Sequence, residues 1–68
     1  MSTASIAAAN IYVAMSVIDS DYNEAFMTSC EPYRAVIDHA RDCGLHDIED
    51  GSEDYEQLVD CLEMLVCN

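Results

Sequence analysis

The side chains of this chain best suited to metal or nucleophilic chemistry are two histidines and four cysteines. His39 and Cys43 stand four residues apart, on one face if their segment is helical, and His46 follows just past Gly44. Cys30 or Cys61 would complete a tetrahedral zinc set. No Cys-x-x-Cys pair occurs, however, and the cysteines fall where a small core would use them as apolar residues. A cysteine beside His39 has neither an orienting group nor an oxyanion donor in view, so the pair does not describe a nucleophile. The run from Asp47 to Asp54 has the composition of a calcium loop without its register. Placing Gly51 at loop position 6 puts His46 at position 1, Ile48 at 3 and Gln57 at 12. No catalytic residue, metal or cofactor is assigned.

The carboxylates remain. Fourteen Asp and Glu face two arginines, Arg34 and Arg41, and no lysine, for a formal charge of −12 on 68 residues. The first 18 residues carry no charge; residues 45–68 carry eight acids and no base. A helix over the last segment brings Glu53, Glu56, Asp60 and Glu63 within about 80° of one another, spaced about 4.5–6 Å along the axis. Duplex DNA presents a charge about every 3.4 Å along one strand, so this is a sparser row of anions on a comparable scale. Glu31, Asp38 and Asp42 form a second row on the preceding helix. The surface expected to meet a partner comprises Asp47, Glu49, Asp50, Glu53, Asp54, Glu56, Asp60 and Glu63. Its partner is a basic surface, most naturally that of a nucleic-acid-binding protein or complex. Direct binding to nucleic acid is disfavoured, because two arginines do not offset fourteen acids against phosphate.

Four segments must position these groups. Residues 5–19 open with three alanines, after Ser2, Thr3 or Ser5 as caps. Their second half fits both a strand (Ile11, Val13, Met15, Val17) and a helix (Ile11, Met15, Ile18, Tyr22), with the alanines favouring helix. Residues 20–28, capped by Ser20 or Asp19, either form a short helix presenting Tyr22, Ala25 and Phe26 or prolong the first. Pro32 starts a third helix with Tyr33, Val36, Ile37, Ala40 and Cys43 on one face, closed by Gly44. Residues 45–51 form a loop, and Asp50 or Ser52 caps the last helix, Asp50 having capping-box spacing to Glu53. That helix carries the clearest apolar stripe: Tyr55, Leu58, Val59, Leu62, Leu65 and Val66. The expected fold is all-α, a small bundle of three to four helices forming one domain over residues 1–68.

A chain this short has little material with which to enclose a substrate pocket, which argues against an enzyme. Residues 4–18 fall short of the ~20 apolar residues of a membrane span. With no basic residue before them, they do not read as an export signal either. A cytoplasmic chain with its cysteines reduced is expected. Cys61 and Cys67 point different ways on one helix and do not pair.

In length, charge and carboxylate rows such as Glu53-Glu56-Asp60-Glu63, the chain resembles the small acidic inhibitors that phages encode against host defence, the anti-CRISPR proteins. The likeness is compositional and matches no motif, so it transfers no functional residue. It implies a DNA mimic that binds a CRISPR effector in the host cytoplasm and blocks target DNA from its basic channel. The alternative is an oligomerisation module: the uncharged first segment has more apolar surface than one small bundle buries, and a homodimer through Ile11 or Met15 would cover it.

Overall fold

The computed structural model describes residues 2–17 and 20–67 and contains four helices: α1 (Thr3–Val17), α2 (Ser20–Thr28), α3 (Pro32–Asp42) and α4 (Glu53–Cys67). The all-α bundle expected from the sequence is the fold found. α1 packs chiefly on α4, and α2 on α3, so α2 is an element with its own packing partner and not a prolongation of α1. Ile18 and Asp19, read above as a stripe residue and a cap, lie outside the described residues, as does the side chain of Ser20.

Ser2 caps α1, its Oγ accepting from the Ser5 N–H at 3.1 Å. The buried face of α1 is Ala4, Ala7, Ala8 and Ile11, at i, i+3, i+4 and i+7. Small side chains let α1 approach α4 closely. The alanines therefore serve as core as well as helix formers. The expectation of a homodimer through Ile11 or Met15 is corrected by this packing. Ile11 is fully buried in its own core and Met15 packs against that core, so neither is available to a partner. At the far end of α1 the Asn23 side-chain amide donates to the Met15 carbonyl at 3.1 Å, satisfying one of the helix's terminal acceptors.

Pro32 occupies the first turn of α3, and Val36, Ile37 and Ala40 face the core. Beyond Cys43, Gly44 takes φ +84°. The Gly44 N–H donates to the Arg41 carbonyl and the Leu45 N–H to the Ala40 carbonyl, each at 3.0 Å. These two bonds form a Schellman closure, which favours glycine at this position. A second turn follows at residues 49–52, with Gly51 at φ +77° and the Ser52 N–H donating to the Glu49 carbonyl at 3.3 Å.

Between the turns, the loop is anchored by Ile48, which is buried, and by His46. The Ile48 N–H donates to His46 Nδ1 at 3.0 Å, leaving the proton on Nε2, which donates to the Ile37 carbonyl at 2.9 Å. This imidazole splices the loop to α3. It has no nitrogen left for a metal.

Ser52 is the cap of α4, its Oγ accepting from the Tyr55 N–H at 3.1 Å, a contact worth about 1 kcal/mol. Asp50, the other candidate, is drawn away to Arg41. Tyr55, Leu58 and Leu62 are buried, and Val59 and Val66 pack at the edge of the core. Leu65 departs from the expected stripe and is 38% exposed. No helix among the described residues is long and apolar enough to cross a membrane.

The cysteines correct another expectation. Cys61 alone packs against the core; Cys30, Cys43 and Cys67 are exposed. Cys43 loses its place on the α3 face because it is the C-cap, where the chain turns away. All four are free thiols.

Candidate interaction surface

All eight carboxylates expected to form the acidic face are exposed: Asp47, Glu49 and Asp50 on the loop, and Glu53, Asp54, Glu56, Asp60 and Glu63 on α4. The helix keeps Glu53, Glu56, Asp60 and Glu63 to one side, because Tyr55, Leu58 and Leu62 turn the other side into the core. Two of the eight have internal partners. Arg34 reaches from α3 to grip Glu56 with both terminal nitrogens, at 3.2 and 3.3 Å. Arg41 holds Asp50 Oδ1 at 2.8 Å and, on its own helix, Asp38 Oδ1 at 2.6 Å. Asp47, Glu49, Glu53, Asp54, Asp60 and Glu63 make no side-chain hydrogen bond or ion pair among the described residues.

The arginines therefore divide the acids into two sets. One set joins α3 to α4 and the loop. Its centre is Tyr55, whose hydroxyl donates to Asp38 Oδ1 at 3.2 Å and whose ring lies 5.4 Å beneath the Arg34 guanidinium. The second acidic row read from the sequence is thereby broken, since Asp38 is half-buried and turned into this network. The ion pairs themselves are open to solvent, which screens them, so they add little to stability. Their larger consequence is that both arginines are engaged. The second set, the six free carboxylates, faces water without a basic neighbour.

Sequence reasoning did not anticipate this network. Its signal was present in outline, because two lone arginines seven residues apart on one helix must find carboxylates among fourteen. Which ones they find depends on tertiary packing.

The network carries a test. Burial first, then the negative charge of Asp38, pushes the Tyr55 phenol up to about 12 from an ordinary value of 10.0. The unfolded chain gives up this proton near pH 10, whereas the folded chain keeps it until about 12. Stability from this group is thus complete below about pH 10 and is lost as pH rises towards 12. Tyr33 is held up to about 12 as well, mainly by its contact with Cys67 Sγ at 3.0 Å. Denaturant unfolding followed through this alkaline window is expected to show falling stability. Tyr55→Phe is expected to flatten part of the decline, and an unchanged slope would contradict the assignment.

The His39–Cys43–His46 set does not assemble. Cys43 Sγ lies 3.6 Å from His39 Nε2, and the His39 ring meets Tyr22 edge-to-face at 4.7 Å, while both nitrogens of His46 are bound to backbone. Among the described residues, no three His, Cys, Asp or Glu side chains come together as metal ligands would.

Comparison with protein-family models, with curated proteins and with solved structures finds no match, leaving the site's own geometry as the basis for function.

Proposed function

We propose that the chain is a non-enzymatic inhibitor that binds a basic, nucleic-acid-binding protein through the free carboxylates of the 45–52 loop and α4. The observation that carries this reading is the separation of the acids: Arg34 and Arg41 are held by Glu56, Asp38 and Asp50, so Asp47, Glu49, Glu53, Asp54, Asp60 and Glu63 stay unneutralised and exposed. Like charges left side by side on a small domain disfavour its compact state, so their retention is best explained by use in binding. On α4 the acids sit on a rigid helix braced by Leu58 and Leu62. They reach a partner already oriented, with less side-chain and backbone ordering still to be lost.

Such a surface suits a groove that otherwise accepts phosphates. Long-range attraction speeds encounter, and Arg and Lys of the groove supply the close pairs. A CRISPR effector, with its basic channel for target DNA, is the partner that the resemblance to anti-CRISPR proteins implies. In that setting the chain acts as a DNA mimic. Affinity for such an effector, measured by calorimetry from about 50 to 500 mM salt, is expected to fall steeply as the charges are screened. Flat affinity across the series would reject the acidic face as the binding surface.

A further inference from the structure

His46 is spent on the backbone, but the other two members of its set do meet. Cys43 Sγ lies 3.6 Å from His39 Nε2. One turn of helix brings them together: the two stand at i and i+4, and the Cys43 N–H donates to the His39 carbonyl at 3.0 Å. The imidazole is steadied by Tyr22, which meets it edge-to-face at 4.7 Å. His39 is half-buried and Cys43 is exposed, so the pair is oriented and still open to solvent.

That separation suits one shared ion. Tetrahedral zinc, with Zn–N about 2.05 Å and Zn–S about 2.3 Å, sets its nitrogen and sulfur ligands about 3.5 Å apart. Two of the other cysteines have different neighbours. Cys61 faces the Ser5 hydroxyl at 3.9 Å and Cys67 the Tyr33 hydroxyl at 3.0 Å, and neither hydroxyl is a usual zinc ligand. His39 also lines a hollow of about 270 Å³ that Asp21 and Glu24 of α2 share. On a chain of formal charge −12 whose two arginines are engaged elsewhere, the potential beside the imidazole favours a cation.

We infer that His39 and Cys43 form a two-point chelate for a thiophilic divalent cation, with zinc as the ion whose geometry it fits and water in the remaining positions. Ligand softness selects the ion. A thiolate with an imidazole suits zinc, whereas magnesium and calcium prefer carboxylate oxygens and water. On binding, the Cys43 thiol gives its proton to the buffer and Sγ bonds to the ion. His39, with its ring proton on Nδ1, offers the Nε2 lone pair to the same ion. The ion thus ties the last turn of α3 through side chains as well as backbone, beside the Gly44 closure. It has half the ligands of a four-ligand structural site, so a Kd on the order of 10 µM is expected. This inference is independent of the proposed function.

Zinc titration of the full chain by calorimetry tests it, with the thiols kept reduced by a phosphine and excess magnesium present to occupy the carboxylates. One zinc per chain is expected. Cys43→Ser and His39→Gln are each expected to weaken binding about tenfold or more, whereas Cys30→Ser and Cys67→Ser leave it unchanged. Cys43 is an exposed cap residue, so Cys43→Ser disturbs no core contact, and circular dichroism checks that every variant is folded. Cadmium at one equivalent gives a second reading, through a sulfur-to-metal absorption expected in the parent and lost in Cys43→Ser. Zinc that magnesium displaces, binding that survives loss of either side chain in folded protein, or a cadmium band indifferent to Cys43→Ser would each overturn the inference.

Discussion

Glu53→Lys combined with Asp60→Lys is expected to weaken binding to a basic effector by about a hundredfold or more while leaving the fold intact. Both side chains are exposed and make no internal hydrogen bond or ion pair among the described residues, so their reversal removes nothing that holds the helices together. Each reversal replaces an attraction by a repulsion, and close charge pairs at interfaces of this type are worth about 1.5 kcal/mol or more. Glu56→Lys is a poorer probe. It also breaks the two-pronged contact with Arg34, so lost binding and altered packing would be mixed. A double variant that binds as the parent does would remove the acidic face from the account.

Leu58→Ala carries the largest expected effect on stability. Leu58 is fully buried where α4 faces the core, and truncation there costs about 2–5 kcal/mol. A 68-residue domain has a total stability of about 3–10 kcal/mol. The variant is therefore expected to lose about 10–30 °C in Tm, and to be substantially unfolded at 37 °C if the parent stability lies at the low end. Leu65→Ala, on the same helix but at its exposed edge, is the control and is expected to shift Tm by only a few degrees. Equal losses for both would mean that the outer edge of α4 is covered by something other than this fold.

The contrast between Leu58 and Leu65 also shows how far the sequence could be read. α4 was legible because its polar and apolar residues separate cleanly, which fixes both the helix and its inward face. Leu65 fell inside the same stripe by spacing, yet the bundle does not extend far enough to cover it. α1 was harder for a physical reason: where apolar residues surround a helix, no face is marked as inner, and bulk drew attention to Ile11 and Met15. Packing instead chose the alanines with Ile11 and left Ile6 and Val13 outside. Burial is decided by how closely the backbones approach, which composition does not reveal.

The acidic face was legible in its exposure and partly hidden in its pairing. That Glu53, Glu56, Asp60 and Glu63 share one side follows from helix geometry alone. That Arg34 would find Glu56, 22 residues away, and Arg41 would find Asp50 rather than leave it to cap α4, follows from how α3 meets α4 and the loop. The cap passed to Ser52 as a result. His46 is a similar case. It read as a possible ligand, whereas its two nitrogens are what an otherwise unsupported loop needs to hold Ile48 in the core.

Competition on a purified CRISPR effector decides whether the chain and target DNA occupy one basic channel. The effector is loaded with labelled target DNA and the intact chain is titrated in at low salt, with DNA occupancy followed by fluorescence anisotropy. Mutually exclusive binding is expected: DNA is released as the chain binds, and added DNA displaces the chain in turn. A ternary complex in which effector, DNA and chain coexist would contradict it, as would an effector that keeps its DNA at every concentration of the chain.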